Sequence, residues 1–479
     1  VKVSAFYKLG LSQSQLEFVD VDIAGDVPFF VDPRALRLLD SDWADECVAL
    51  VQDFFRHVLS KIASKEDLEA QWLLGMLGEP NETHLGLSRG QPRGHGLGPQ
   101  SAFDVWEALS QSEALSSGLL EDLEDTILMI PGISNDLISD ITTNIIRGPL
   151  IEFTQQSCEY YEFPLTAAVD SGPLWDPQRH QWDNKFVELP MIDHRKLILI
   201  PKAIVRQRLE YNPEEYYNHV ILAALQAEEL NANSELVDLL KNGARRVTKK
   251  ALREKYGTGK SVIVSQTQER PQLLEDYREL KRREPLQPLS NWALSQEEDS
   301  GATDWDGMLA RVLAVEPGVE GATDYHRAIE ALLQALLYPA LVNPMRESRL
   351  HEGRKRIDIK FTNAAQAGFF WRVHEYHGVP AGYIVVECKN YREDIGNPEL
   401  DQLAGRFSPN RGKMGLLLYR RAVDRDKCIQ LCKDAFHDDR GWVLPLDDTD
   451  LGVLVEERQV EPSSVSFSLL EQRFSEIIS

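Results

Sequence analysis

Nowhere in this chain do eighteen apolar residues follow one another, so no membrane span is expected. The opening stretch, residues 1–8, carries no apolar core followed by a cleavage site, and no signal peptide is expected. Cysteine is scarce: five thiols, an odd number in 479 residues, suit a reducing cytoplasm rather than a disulfide framework. Cys388, Cys428 and Cys432 fall close together, one thiol short of the four that hold an iron–sulfur cluster, and read as core and surface residues. In that compartment the sequon Asn81-Glu82-Thr83 is chance. No internal repeat occurs. Gly257-Thr-Gly-Lys-Ser261 lacks the upstream glycine of a phosphate loop, since position 254 is Glu, and the strand-like run Val262-Ile-Val264 follows it where a helix is required.

Positive charge is the other shortage. The formal net charge is −24, which argues against nucleic-acid binding until it is divided along the chain. Residues 341–440 hold 18 Lys+Arg against 14 Asp+Glu, residues 441–479 hold 2 against 8, and residues 1–340 hold 32 against 54. One basic segment thus sits in an acidic protein. Phosphate affinity follows local charge, so binding is permitted there and disfavoured elsewhere.

What is present is ordinary globular material, 43% apolar and 27% charged, long enough for two to four domains. Residues 1–40 read as strand-rich, with Asp20 and Asp22 on the solvent face of the alternating run 18–23. Apolar residues recur at helical spacing over 42–78, and 119–165 reads as mostly helical. Lys196–Ile200 reads as a buried strand, followed by helices over 214–232, 234–242 and 248–256. Between them the glycine-rich loop 83–101, with Arg89, Arg93 and His95, is either an anion or ligand loop or a plain surface loop. From 266 to 320 the chain is polar, with helix signals at 273–284, and suits a connector rather than a core.

The stretch with chemistry in it runs from Arg354 to Gln402. Ile357, Ile359 and Phe361 alternate with Asp358 and Lys360, the period of a half-buried strand. Tyr383-Ile-Val-Val-Glu387-Cys-Lys389 is a short apolar run surfacing in charge. Converging carboxylates from Asp358 and Glu387 make a hard-oxygen site for Mg²⁺, and Lys389, two residues after Glu387, points to the same face. An ammonium there can orient a water and offset charge on a phosphate, which is the chemistry of phosphodiester hydrolysis. Arg346, Arg349, Arg354, Lys355, Arg356 and Lys360 supply cations for the backbone of a nucleic acid. Phe369-Phe370-Trp371, in the insertion 362–382, reads as the apolar face of a hairpin rather than a wedge between bases.

Asp358 followed by Glu387-x-Lys389 resembles the signature of the PD-(D/E)XK nucleases. The flanks match it: Glu330, on an amphipathic helix beginning near Tyr325, stands where the family often carries an acidic residue. Gln402 matches the glutamine of the branch similar to type IV methyl-directed restriction enzymes. Ile357 replaces the proline of the pattern. The resemblance covers residues 321–455 and implies a C-terminal restriction-endonuclease-like αβββαβ core; with the patterns read above, the fold class is α/β, that core beside a larger, mostly helical mixed α/β N-terminal region. Composition and resemblance together divide the chain into an acidic region 1–265 (sensor, partner-binding or oligomerisation), a connector 266–320 and a nuclease domain 321–479.

The activity implied is Mg²⁺-dependent hydrolysis of DNA, with Mn²⁺ as a substitute and RNA left open. Asp358, Glu387 and the Cys388 carbonyl would hold the metal, Lys389 would position water, and Gln402 and Glu330 would support the site. By analogy the protein would be a prokaryotic anti-phage restriction effector in the cytoplasm, a homodimer or higher oligomer with a partner ATPase or other defence protein. The alternative is a catalytically silent nuclease fold that holds nucleic acid or assembles a complex.

Overall fold

The computed structural model describes residues 1–86, 99–240, 242–284, 286, 288–297, 302–342, 359–393, 395–408, 412–420 and 424–479, with the side chains of 99–101 excepted. It is a mixed α/β protein with two hydrophobic cores.

The first core gathers around three helices, α1 (Asp42–Ala63), α2 (Asn135–Ile145) and α3 (Arg147–Tyr161). In α1 the buried positions Cys47, Leu50, Val51, Phe54, Phe55, Val58 and Ile62 recur at three- and four-residue spacing, and Ser41 caps the first turn through Ala44 N–H. The strand-rich reading of residues 1–40 gives way to short helical turns and isolated bridges. Phe18 bridges Pro201 and Lys2 bridges Asp22, and the one ladder described in this stretch is the short antiparallel pairing of Phe30–Val31 with Val205–Arg206. Asp20 is correspondingly not on a solvent face. It is 2% exposed, and its carboxylate accepts from Ser4 N–H (2.8 Å) and Ser4 Oγ (2.6 Å).

The buried run 197–200 is also not a strand. Its N–H groups go to separate partners, Pro190 O, Glu82 O and Thr154 Oγ1 for Leu197, Ile198 and Leu199, so these three donors are satisfied without a neighbouring strand. The helix read over 234–242 is a small hairpin instead: Asp238–Leu239 pairs with Arg245–Arg246 around Gly243, whose φ of +80° suits a turn that only glycine enters freely.

Beyond Gly259 the chain forms α4 (Lys260–Glu269), not a strand, because Ile263, Val264, Gln266 and Thr267 share one buried face at helical spacing. Lys260 turns inward to Ile130 O (2.7 Å) and Ile133 O (3.2 Å), and burial pulls its ammonium down to about 8. It is not presented to a phosphate. Next comes α5 (Gln272–Arg283), which buries Leu274 and Tyr277 in the first core, while α6 (Trp305–Ala314) buries Met308 and Val312 in the second. The stretch 266–320 therefore contributes side chains to both cores.

The second core holds α7 (Ala322–Leu337) and a five-stranded sheet. Strands β1 (Leu341–Val342), β2 (Ile359–Asn363) and β3 (Tyr383–Lys389) form an antiparallel meander. Helix α8 (Asn397–Ala404) then crosses to β4 (Met414–Tyr419), parallel to β3, and α9 (Arg425–His437) crosses to β5 (Trp442–Asp447), parallel to β4. The chain ends in α10 (Asp448–Val460) and α11 (Ser468–Ile478). The central strands are apolar almost throughout, as expected of strands covered on both faces. Between β2 and β3 the chain makes helical turns (Gly368–Trp371, Arg372–Tyr376), not the continuous hairpin read from the sequence. Phe369 and Phe370 are fully buried against Phe474 and Phe467, so these aromatics are core and cannot wedge between bases.

Candidate functional site

The polar end of β3 opens into a cleft of about 690 Å³. Alternation along the strand sends Glu387 and Lys389 to the same face, beneath α8, and Cys388 to the other. Both charged side chains are buried, at 3% and 8% exposure, a position that charges occupy only when paired. Lys389 Nζ lies 2.6 Å from Glu387 Oε1 and donates to Gln402 Oε1 at 2.9 Å. Gln402 is held in place by α8, whose first turn is closed by Glu399 accepting from Gly396 N–H, with Pro398 near its start.

The second oxygen of Glu387 has no hydrogen-bond donor among the described residues, although the Arg406 guanidinium stands 3.4 Å away. A buried carboxylate oxygen left in this state is costly. Burial pulls Arg406 below its ordinary value, and it stays a cation. Burial, with Glu387 and Glu330 nearby, pushes the Cys388 thiol well up, so it is a protonated thiol and no nucleophile.

One wall of the cleft is the loop between α6 and α7. Asn390 fastens it to the end of β3: its amide donates to Glu316 O and Gly318 O, both at 2.9 Å, and Gly318 N–H returns a bond to Asn390 O at 2.8 Å. Arg392 Nε adds a fourth bond, to Pro317 O (2.8 Å). A side chain at Gly321 would lie 2.7 Å from Glu316 O, so the turn is tight enough to need glycine.

Of the residues singled out from sequence, Glu387, Lys389, Gln402 and Cys388 meet at this cleft. Glu330 does not line it. Its carboxylate accepts from Tyr160 Oη of α3 at 2.7 Å, while His326, one turn earlier on α7, does line the cleft. Lys360 packs its ammonium over the Tyr383 ring, 3.7 Å from the centroid, on the neighbouring strand. Asp358, Arg346, Arg349, Arg354, Lys355 and Arg356 lie outside the described residues, as do Arg89, Arg93 and His95. Ile359, the residue after Asp358, pairs with Val386, the residue before Glu387. Among the described residues no three His, Cys, Asp or Glu side chains gather as a metal-holding group. Arg406, Asn390, Val319 and Tyr391 also line the cleft, and none of them was singled out from the sequence.

The described edge of the glycine-rich segment is acidic. Gly86 lies beside Asp26 and Asp136. Burial first, then neighbouring carboxylates, push Asp26 up to about 6 and Asp140 up to about 8. Acids raised in this way hold protons that the unfolded chain has already released near pH 4. Their contribution to stability is complete below that pH and is lost as pH rises toward 8. Asp140→Asn is expected to flatten this slope, raising the melting temperature at pH 8 by roughly 2–4 °C relative to its effect at pH 5. Paired thermal scans at the two pH values check it, and an unchanged slope refutes it.

A family model for a domain of unknown function, DUF8370, matches residues 8–212. The match covers most of the first core and the helix that carries Tyr160, and stops well short of the cleft. No curated protein and no solved structure matches the chain. No helix among the described residues is long and apolar enough to cross a membrane.

Proposed function

We propose that this protein is a Mg²⁺-dependent nuclease that hydrolyses DNA phosphodiesters at the cleft where Glu387, Lys389 and Gln402 meet. The observation that carries the reading is the buried Glu387–Lys389 pair on one strand face, with Gln402 on the ammonium and the second Glu387 oxygen facing Arg406 without a hydrogen-bond donor among the described residues. The element order supports it: α7, then β1, β2 and β3 antiparallel, then α8, then β4 parallel to β3. That is the αβββαβ order of a restriction-endonuclease-like core, with α9 and β5 added.

The residues fit a hard divalent ion. Glu387 offers a carboxylate oxygen that has no hydrogen-bond donor among the described residues, the Cys388 carbonyl adjoins it in sequence, and Asp358 is the third ligand of the proposal. The proposal requires the antiparallel register to run one residue past the Ile359–Val386 pair, because residues directly opposite share a face. Bound there, Mg²⁺ would act as a Lewis acid on a phosphoryl oxygen. The chain's own part is positioning. Gln402 fixes the Lys389 ammonium, which donates a hydrogen bond to the attacking water, and Arg406 offsets charge on the phosphate.

In this reading the acidic N-terminal region responds to a trigger or partner, such as an ATPase of a defence system, and the protein works in the cytoplasm, as a dimer when both strands are cut. Supercoiled plasmid with Mg²⁺ or Mn²⁺ is the test. Cleavage is expected, abolished by EDTA and by Asp358→Ala. Full activity of Asp358→Ala would overturn the assignment of the metal site, and no cutting of any nucleic acid with either metal would leave the silent-fold alternative.

A further inference from the structure

The cleft presents two exposed apolar side chains beside its charged floor. Val319 is 87% exposed and Tyr391 is 41% exposed. Neither position is accidental in its geometry. Val319 follows Gly318 on the loop that Asn390 and Arg392 hold with four hydrogen bonds, so a valine is displayed on a fixed support. Tyr391 sits two residues after Lys389, with its ring centroid 5.7 Å from the Lys389 ammonium. A ring this close to the ammonium assigned to the attacking water is within reach of the base on a nucleotide adjoining the bond to be cut.

The geometry points to a substrate with unstacked bases: Tyr391 stacks on a nucleobase next to the bond to be cut, and Val319 abuts it. This rests on the nuclease reading above and narrows its substrate to single-stranded or frayed nucleic acid. Intact duplex keeps every base face covered by its neighbours, so an aromatic side chain at the cleft gains nothing from it. A single strand offers a π-face at each residue, and stacking of this kind tolerates any sequence. The cleft volume, about 690 Å³, exceeds what a phosphate alone requires and falls in the range of sites that take a nucleotide-sized ligand. Charge leans the same way. Residues 1–340 carry 54 acidic against 32 basic side chains, and a duplex, with its denser phosphates, meets more repulsion from them than a single strand does.

The test separates binding from cutting. Ca²⁺ replaces Mg²⁺, and fluorescence anisotropy measures the affinity of a labelled single strand, as DNA and as RNA, and of the matching DNA duplex. At least one single strand is expected to bind more tightly than duplex. Tyr391→Ala is expected to weaken that binding about tenfold while leaving duplex affinity unchanged, and Tyr391→Phe, which keeps the ring, is expected to bind as wild type. Equal loss on single strand and duplex, no loss in Tyr391→Ala, tighter binding of duplex, or no binding of either would overturn the inference. Its failure is distinguishable from that of the nuclease reading. Mg²⁺-dependent plasmid cleavage together with single-strand binding that ignores Tyr391 sinks the inference alone, whereas ring-dependent strand binding without Mg²⁺-dependent cutting sinks the nuclease reading alone.

Discussion

Lys389→Met is expected to remove metal-dependent cleavage, lowering the single-turnover rate about 10²- to 10⁴-fold, the range for a lost proton-handling or charge-stabilising group. Methionine keeps the length and apolar body of the side chain and deletes only the ammonium. The deletion has a structural cost that must be separated from the chemical one. Glu387 is 3% exposed, and without Lys389 its carboxylate keeps, among the described residues, only Arg406, at 3.4 Å. Stranding a buried charge costs about 3–5 kcal/mol when no partner remains. Glu387→Gln with Lys389→Met removes both charges and is expected to recover most of that stability while staying inactive. Melting temperature and plasmid cleavage, measured on the single and double variants, resolve the two effects. If Lys389→Met cuts at the wild-type rate, the ammonium has no part in the reaction.

The sheet and the centre of this cleft were legible because local pattern and final structure agree there. The apolar run that surfaces in charge at Glu387 and Lys389 is the strand Tyr383–Lys389, and Gln402 lies on the helix that follows it. Glu387 and Lys389 share a face because a strand has a period of two, and no tertiary information is needed for that. The walls of the cleft were not legible. Asn390 acts on the carbonyls of Glu316 and Gly318, more than seventy residues away, and an asparagine that holds a distant backbone carries no periodic signature. Glu330 illustrates the opposite error of a local reading. Its helix and burial are visible in the pattern, but its partner, Tyr160, comes from the other core. The N-terminal strands failed for a related reason. Alternation at 18–23 and the apolar run at 197–200 describe extended, buried backbone, which here is satisfied by single hydrogen bonds to scattered partners instead of a ladder.

Arg278→Met is expected to destabilise the N-terminal core by about 3–5 kcal/mol, although Arg278 stands in a stretch whose composition reads as a connector. Polar composition is misleading here because the charges on α5 are used internally. Arg278 is 3% exposed and Asp125 is fully buried. The guanidinium meets the Asp125 carboxylate at 2.6 and 3.3 Å and donates to Leu119 O at 3.1 Å. Glu275, one turn earlier, holds its outer nitrogen. Asp125 opposes the burial penalty and keeps Arg278 charged. Asp125 in turn caps the preceding turn by accepting from the Glu121 and Asp122 N–H groups, at 3.0 and 2.9 Å. Loss of the arginine therefore strands a carboxylate that cannot simply be removed without uncapping that turn. Arg278→Met with Asp125→Asn, which relieves the charge and keeps an acceptor for the two N–H groups, is expected to recover more than half of the loss. Hydrogen-exchange protection of α1 and α5 reports on this core directly, and unchanged protection in Arg278→Met would show that α5 is a dispensable connector after all.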